Sequence, residues 1–121
     1  MSKAGGNIIR QAVVTQTLPE RAFLVAAVVK GSAERWTVDD SLEELARLTR
    51  TAGAEVVGRI SQRLAAPSKS YYIGKGKLDE LVALKNTAGY DTVIFNDELS
   101  PLQQRNLENL LQVKVIDRVA L

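Results

Sequence analysis

The stretch Val93-Ile94-Phe95-Asn96-Asp97-Glu98-Leu99-Ser100-Pro101-Leu102-Gln103 decides how the chain is read. Thr92 to Phe95 is a short run of β-branched and aromatic residues, the mark of a strand buried on both faces. It stops at the polar Asn96-Asp97-Glu98. Ser100-x-x-Gln103 then forms a capping box with Pro101 at the first helical position, so a helix is predicted from Pro101 to about Leu111. A buried strand that ends in an acidic loop and turns at once into a helix is one step of a parallel α/β sheet. In such sheets ligands collect at the strand ends.

Outward from that step the same alternation recurs. Ala22–Val29 is a near-continuous apolar run and reads as the first strand. Leu42, Leu45, Ala46, Leu48 and Ala52 follow at helical spacing. Ser41-x-x-Glu44 offers a start for that helix, Glu43 and Arg47 a pair four apart, and Gly53 a stop. A second strand is expected at Glu55–Ser61 or slightly longer, broken by Gly58. After a Pro- and Ser-containing excursion, Tyr71–Ile73 reads as extended. A helix from about Lys77 to Ala88 carries Leu78, Leu81, Val82 and Lys85 on one face. Val113–Ile116 supplies the last strand. Strands separated by helices and short loops predict an α/β fold: a mostly parallel four-stranded sheet with helices packed on its faces. Residues 1–20 read as an N-terminal arm and residues 21–121 as the domain.

Composition removes whole classes of chemistry. The 121 residues include no cysteine and no histidine, so disulfides, thiolate nucleophiles, zinc sites of the usual ligands and imidazole catalysis are excluded. No apolar run approaches the ~18 residues of a membrane span and no signal peptide is evident, so a cytoplasmic protein is expected. The net charge of +2 is small, but it is unevenly placed. No acidic residue lies between Glu55 and Asp79, whereas Arg59, Arg63, Lys69, Lys75 and Lys77 all do. Interleaved with Tyr71 and Tyr72, these cations suit RNA, cations on phosphates and rings on exposed bases. A solvated loop with tyrosines used in packing is the competing reading.

Two further clusters have the chemistry of an anion or nucleotide site. Gly74-Lys75-Gly76-Lys77 precedes a helix, whose first amides and dipole favour negative charge. Asp97 and Glu98 end the central strand on the same edge of the sheet, where they could meet Lys75 or Lys77. The structural alternative is a tight glycine entry into the helix beside a surface ion-pair cluster. No metal ligand set is visible.

Val93–Glu108 with Val113–Arg118, and upstream Ser41–Leu45, Thr51–Gly58 and Tyr72–Leu81, resemble in the same order the amino-terminal domain of the HflX family of ribosome-associated GTPases. The resemblance covers about residues 23–121. It implies a parent protein that binds the large (50S) ribosomal subunit and its RNA and acts in ribosome dissociation, rescue or biogenesis. It also implies that GTP and magnesium are used in a GTPase domain downstream of Leu121, with this domain as its recognition and regulatory partner. No catalytic residue carries over. Gly74–Lys77 lacks the spacer of a phosphate-binding loop and has Leu78 where a magnesium-binding hydroxyl belongs. Asp91–Ile94 lacks the glycine of a phosphate sensor, and no guanine-reading Asn-Lys-x-Asp is present. Two alternatives stay open: an adenine-nucleotide-binding or weak ATPase module, and a purely structural domain that restrains the GTPase domain.

Overall fold

The computed structural model describes residues 20–29 and 36–121, without the side chains of Trp36 and Thr37. The arm expected over residues 1–20 lies outside the described residues except for Glu20. The elements are β1 (Arg21–Val29), α1 (Trp36–Thr51), β2 (Glu55–Leu64), α2 (Lys75–Leu84), β3 (Thr92–Phe95), α3 (Pro101–Leu111) and β4 (Lys114–Asp117). A π-helical turn at Lys85–Gly89 ends α2, and a 3-10 turn at Arg118–Ala120 follows β4.

All four strands are parallel, in the order β2-β1-β3-β4. The chain first steps from β1 outward to β2, then crosses back to β3 and on to β4. Right-handed crossovers therefore place α1 on one face and α2 with α3 on the other. Side chains alternate accordingly. Ala22, Leu24, Ala26 and Ile94 pack on Leu42, Leu45 and Ala46 of α1. Phe23, Val25, Val93, Phe95 and Val115 pack on Leu78 and Leu81 of α2 and on Leu107 and Leu111 of α3. Burial on both faces explains why Ala22–Ala26 of β1 and Val93–Phe95 of β3 are apolar without a break.

Gly58 has a packing reason. The β1–β2 register shifts between Ala22 and Phe23, so that Val57 is the extra residue of a bulge and Gly58 lies opposite Phe23. A Cβ on Gly58 would sit 2.5 Å from Cε2 of Phe23. Glycine lets the aromatic ring lie over the strand, and β2 continues through it to Leu64.

Three local expectations are corrected. Ser41 does not cap α1, because the helix already runs from Trp36. Its carbonyl instead accepts from Arg118 Nη2 at 2.9 Å. Glu43 pairs with Arg59 of β2 at 3.2 Å rather than with Arg47 one turn away. The helix expected from Lys77 begins at Lys75 and gives way to the π turn after Leu84, and Val82 on it is 42% exposed. Arg21 draws that turn to the sheet edge, with Nε donating to Gly89 O at 2.7 Å and Nη2 to Ala88 O at 3.0 Å. The Pro101 helix and its cap form as predicted: Gln103 N donates to Ser100 Oγ and Ser100 N to Gln103 Oε1.

Candidate RNA interface

The chain reverses direction across the sheet between β1 and β3, so the strand ends there form the crevice where such folds bind ligands. Here the crevice is largely occupied by the protein's own groups. Asn96 Oδ1 accepts from Arg118 Nε at 3.1 Å and Nη2 at 2.8 Å, while Arg118 Nη1 meets Glu44 at 3.3 Å. Asp117 accepts from the amides of Leu99 and Ala120. Asp97 faces the Tyr72 phenol. Burial first, then this carboxylate, holds that phenol well above the usual tyrosine range. A charge-assisted tie across α1, β3 and β4 uses the strand-end polar groups structurally.

The nucleotide-type cluster is not assembled. Lys75 pairs with Asp79 at 3.2 Å and Lys77 with Glu80 at 3.0 Å, both within α2, and neither meets Asp97 or Glu98. Gly74 is the N-cap of α2 and donates its amide to Gln62 Oε1 at 2.8 Å. A Cβ there would come within 3.1 Å of the Gln62 amide, whereas one on Gly76 would meet open space. Gly74 thus has a structural use, in a close approach of helix to strand.

The basic segment is divided between the two faces of the sheet. Arg59 and Arg63 lie on the α1 side: Arg59 pairs with Glu43, and Arg63 shares a small hollow with Val38 and Asp39. Tyr71 and Lys75 line a groove on the α2–α3 side, and the loop that carries Lys69 is tied to α3 through Ser68 and Ser70. The two tyrosines separate as well. Tyr72 takes a positive φ of 68°. Its ring is buried to 9% exposure and packs edge-on against Phe95 with centroids 5.9 Å apart. It presents no face to a base, which corrects its place among the RNA-contact candidates. Tyr71 remains half-buried, at the wall of a groove of about 530 Å³.

That groove runs between the β2–α2 loop and the two helices, lined by Ser68, Ser70, Tyr71, Ile73, Gly74, Lys75, Leu78, Asp79 and Leu110. Its loop wall is fastened from below by α3. Gln103 Nε2 donates to Ser68 O at 2.7 Å and Asn106 Nδ2 to Ser70 O at 3.1 Å. Within the loop, Ser68 Oγ accepts from the amides of Ser70 and Tyr71, and Ser68 and Tyr72 exchange backbone bonds. The loop is therefore shaped before any ligand arrives. Gln103, Asn106 and Leu110 had drawn no functional reading from sequence. Gln103 announced only its capping box, and its reach to Ser68, 35 residues away, is a tertiary contact with no local signature.

The sequence profile of the GTP-binding GTPase N-terminal family matches residues 39–121. The chain belongs to this family. It is similar to the GTPase HflX of Caldanaerobacter subterraneus subsp. tengcongensis, 45% identical over 84% of this chain and 23% of the relative. The GTPase HflX of Flavobacterium psychrophilum is 36% identical over 84% of this chain and 24% of its own length. That of Escherichia coli is 38% identical over 68% of this chain and 19% of its own length. The chain thus spans under a quarter of the length of these relatives, and what it matches in them is the N-terminal HflX domain. The resemblance read from the four sequence stretches is borne out. Among the described residues no helix is long and apolar enough to cross a membrane.

Proposed function

We propose that this domain is the recognition and regulatory part of an HflX-type GTPase that associates with the large ribosomal subunit and acts in ribosome dissociation, rescue or biogenesis. The β2–α2 loop would contact ribosomal RNA. GTP hydrolysis, with magnesium, belongs in this reading to a downstream GTPase domain, whose activity the recognition domain would govern.

The observation that carries the reading is the α3-braced loop. It presents Lys69 and Lys75 to solvent, Lys75 with 88% of its side chain exposed, at the positive end of α2. Exposed ion pairs such as Lys75–Asp79 are worth little, so Lys75 is easily taken over by a phosphate. Residues Ala65 to Leu78 contain three lysines and no acid, which suits a polyanion and gives a neutral partner no advantage.

Cosedimentation of the chain with purified large subunits over a salt series tests this. Binding should weaken steeply with salt. Replacing Lys69, Lys75 and Lys77 together by glutamine should flatten the plot of log affinity against log salt by roughly 0.7–0.9 per lost contact. No binding at low salt, or an unchanged slope in the triple variant, would remove the proposed role of this loop.

A further inference from the structure

The groove beside the loop has a character that phosphate contacts alone do not use. Its floor is apolar, from Ile73, Leu78 and Leu110, and one wall is the Tyr71 ring. Leu110 is 43% exposed at the groove, between the buried Leu107 and Leu111 of the same helix, whose Leu102 is also exposed. At about 530 Å³ the groove falls within the usual range for small-ligand sites. Among the described residues neither the Ser70 nor the Tyr71 hydroxyl has a hydrogen-bond partner, so both are available at the rim.

We infer that this groove receives one unpaired RNA base, stacked against Tyr71 over the Leu78–Leu110 floor, with its phosphate held at the rim by Lys75. This deepens the proposed ribosome-binding role and rests on it. Charge complementarity selects the occupant: an apolar slot edged by Lys75 at a helix N-terminus, its pair with Asp79 exposed and weak, suits a flat ring joined to an anion. An apolar peptide would offer Lys75 nothing beyond its exposed pair with Asp79, which a phosphate can displace. A base paired and stacked within a duplex cannot enter, so the groove should distinguish single-stranded from double-stranded RNA. The hydroxyls of Ser70 and Tyr71 are placed to meet the edge or ribose of the inserted nucleotide.

The test is fluorescence anisotropy of the 121-residue chain with a labelled single-stranded oligoribonucleotide and with a duplex of the same length. Single-stranded RNA should bind more tightly. Tyr71→Ala should weaken it about tenfold, the loss expected for one stacked base. Tyr71→Phe should keep most of the affinity, because the ring is retained. Leu110→Lys, whose side chain would occupy the floor, should also weaken binding despite its added positive charge. Circular dichroism melts establish that each variant is folded.

Equal binding of duplex and single strand would overturn the inference. So would full single-strand affinity in both folded Tyr71→Ala and Leu110→Lys. A chain dimer broken by Leu110→Lys in sedimentation equilibrium would assign the groove to a second copy and overturn it too. The two readings fail differently. Retained cosedimentation with large subunits alongside full single-strand affinity in both variants removes only the base slot. Loss of cosedimentation by the unaltered chain removes the ribosomal reading itself.

Discussion

Gln103 is the residue on which the shape of the proposed interface depends. Its side chain makes two bonds of different purpose: Oε1 accepts from Ser100 N at 2.8 Å and Nε2 donates to Ser68 O at 2.7 Å. The first closes the cap of α3; the second fixes the loop. Gln103→Ala removes both, at a net cost of about 1 kcal/mol each. The larger penalty for stranded buried groups is not incurred. Ser68 O still accepts from Tyr72 N at 3.0 Å, and Ser100 is exposed to water. The expected total is therefore about 2 kcal/mol, or roughly 10 °C in melting temperature for a domain of this size. Gln103→Glu separates the two roles. A carboxylate still accepts from Ser100 N and is favoured at a helix N-terminus, but it cannot donate to Ser68 O. Melting by circular dichroism reads the cap, and limited trypsin cleavage after Lys69 reads the loop. Gln103→Glu should melt closer to wild type than Gln103→Ala, yet both should be cut faster after Lys69. Wild-type cleavage at Lys69 in both folded variants would refute the claim that this side chain holds the loop.

Other consequences follow from single contacts. Ser100→Ala should cost about 1 kcal/mol, measured by urea denaturation, because it removes the acceptor for Gln103 N. Gly58→Ala should destabilise by about 1–3 kcal/mol in the same assay, since the new Cβ lands on the Phe23 ring and must displace it. Burial pushes the Tyr90 phenol from its ordinary value near 10 up to about 12. The neutral phenol is favoured by the fold, so this stabilisation is complete below about pH 10 and is lost as pH rises through 12. Tyr90→Phe, which also gives up the bond to Leu81 O, should be less stable at neutral pH but should lose less stability between pH 10 and 12 than the parent. A parallel decline in the two proteins would show that Tyr90 does not govern the alkaline limb.

The fold was legible where local and tertiary demands agree. Ala22–Ala26 of β1 and Val93–Phe95 of β3 are apolar without a break because each is covered on both faces, and α3 is delimited by a cap that forms from residues three apart. Alternating strands and helices then leave little choice but a parallel sheet. Strand order was not legible, because the return from β2 across β1 to β3 is settled by packing between residues far apart in sequence. Local reading failed where a distant partner claimed the motif. Ser41 and Glu44 have capping-box spacing, yet both are engaged by Arg118 from beyond β4. Gly74–Lys77 reads as a loop because glycine is a poor helix former, but Gln62 supplies Gly74 with a partner and the helix starts there. At the candidate site, the acid-free run marked the loop correctly as basic. It did not reveal that Arg59 and Arg63 face α1 while Lys69 and Lys75 do not. Two adjacent tyrosines cannot be told apart by type; the positive φ of Tyr72 sends one ring into the core and leaves the other at the groove.

Hydrogen–deuterium exchange of the chain alone and bound to large ribosomal subunits tests the central claim most directly, because it reports which backbone becomes covered. The expected result is added protection across the β2–α2 loop and the first turn of α2, residues 65–78, with little change on the outer face of α1. Protection confined to α1 and the Arg59–Arg63 side of β2, with residues 65–78 exchanging as in the free chain, would contradict the account and move the interface to the opposite face of the sheet.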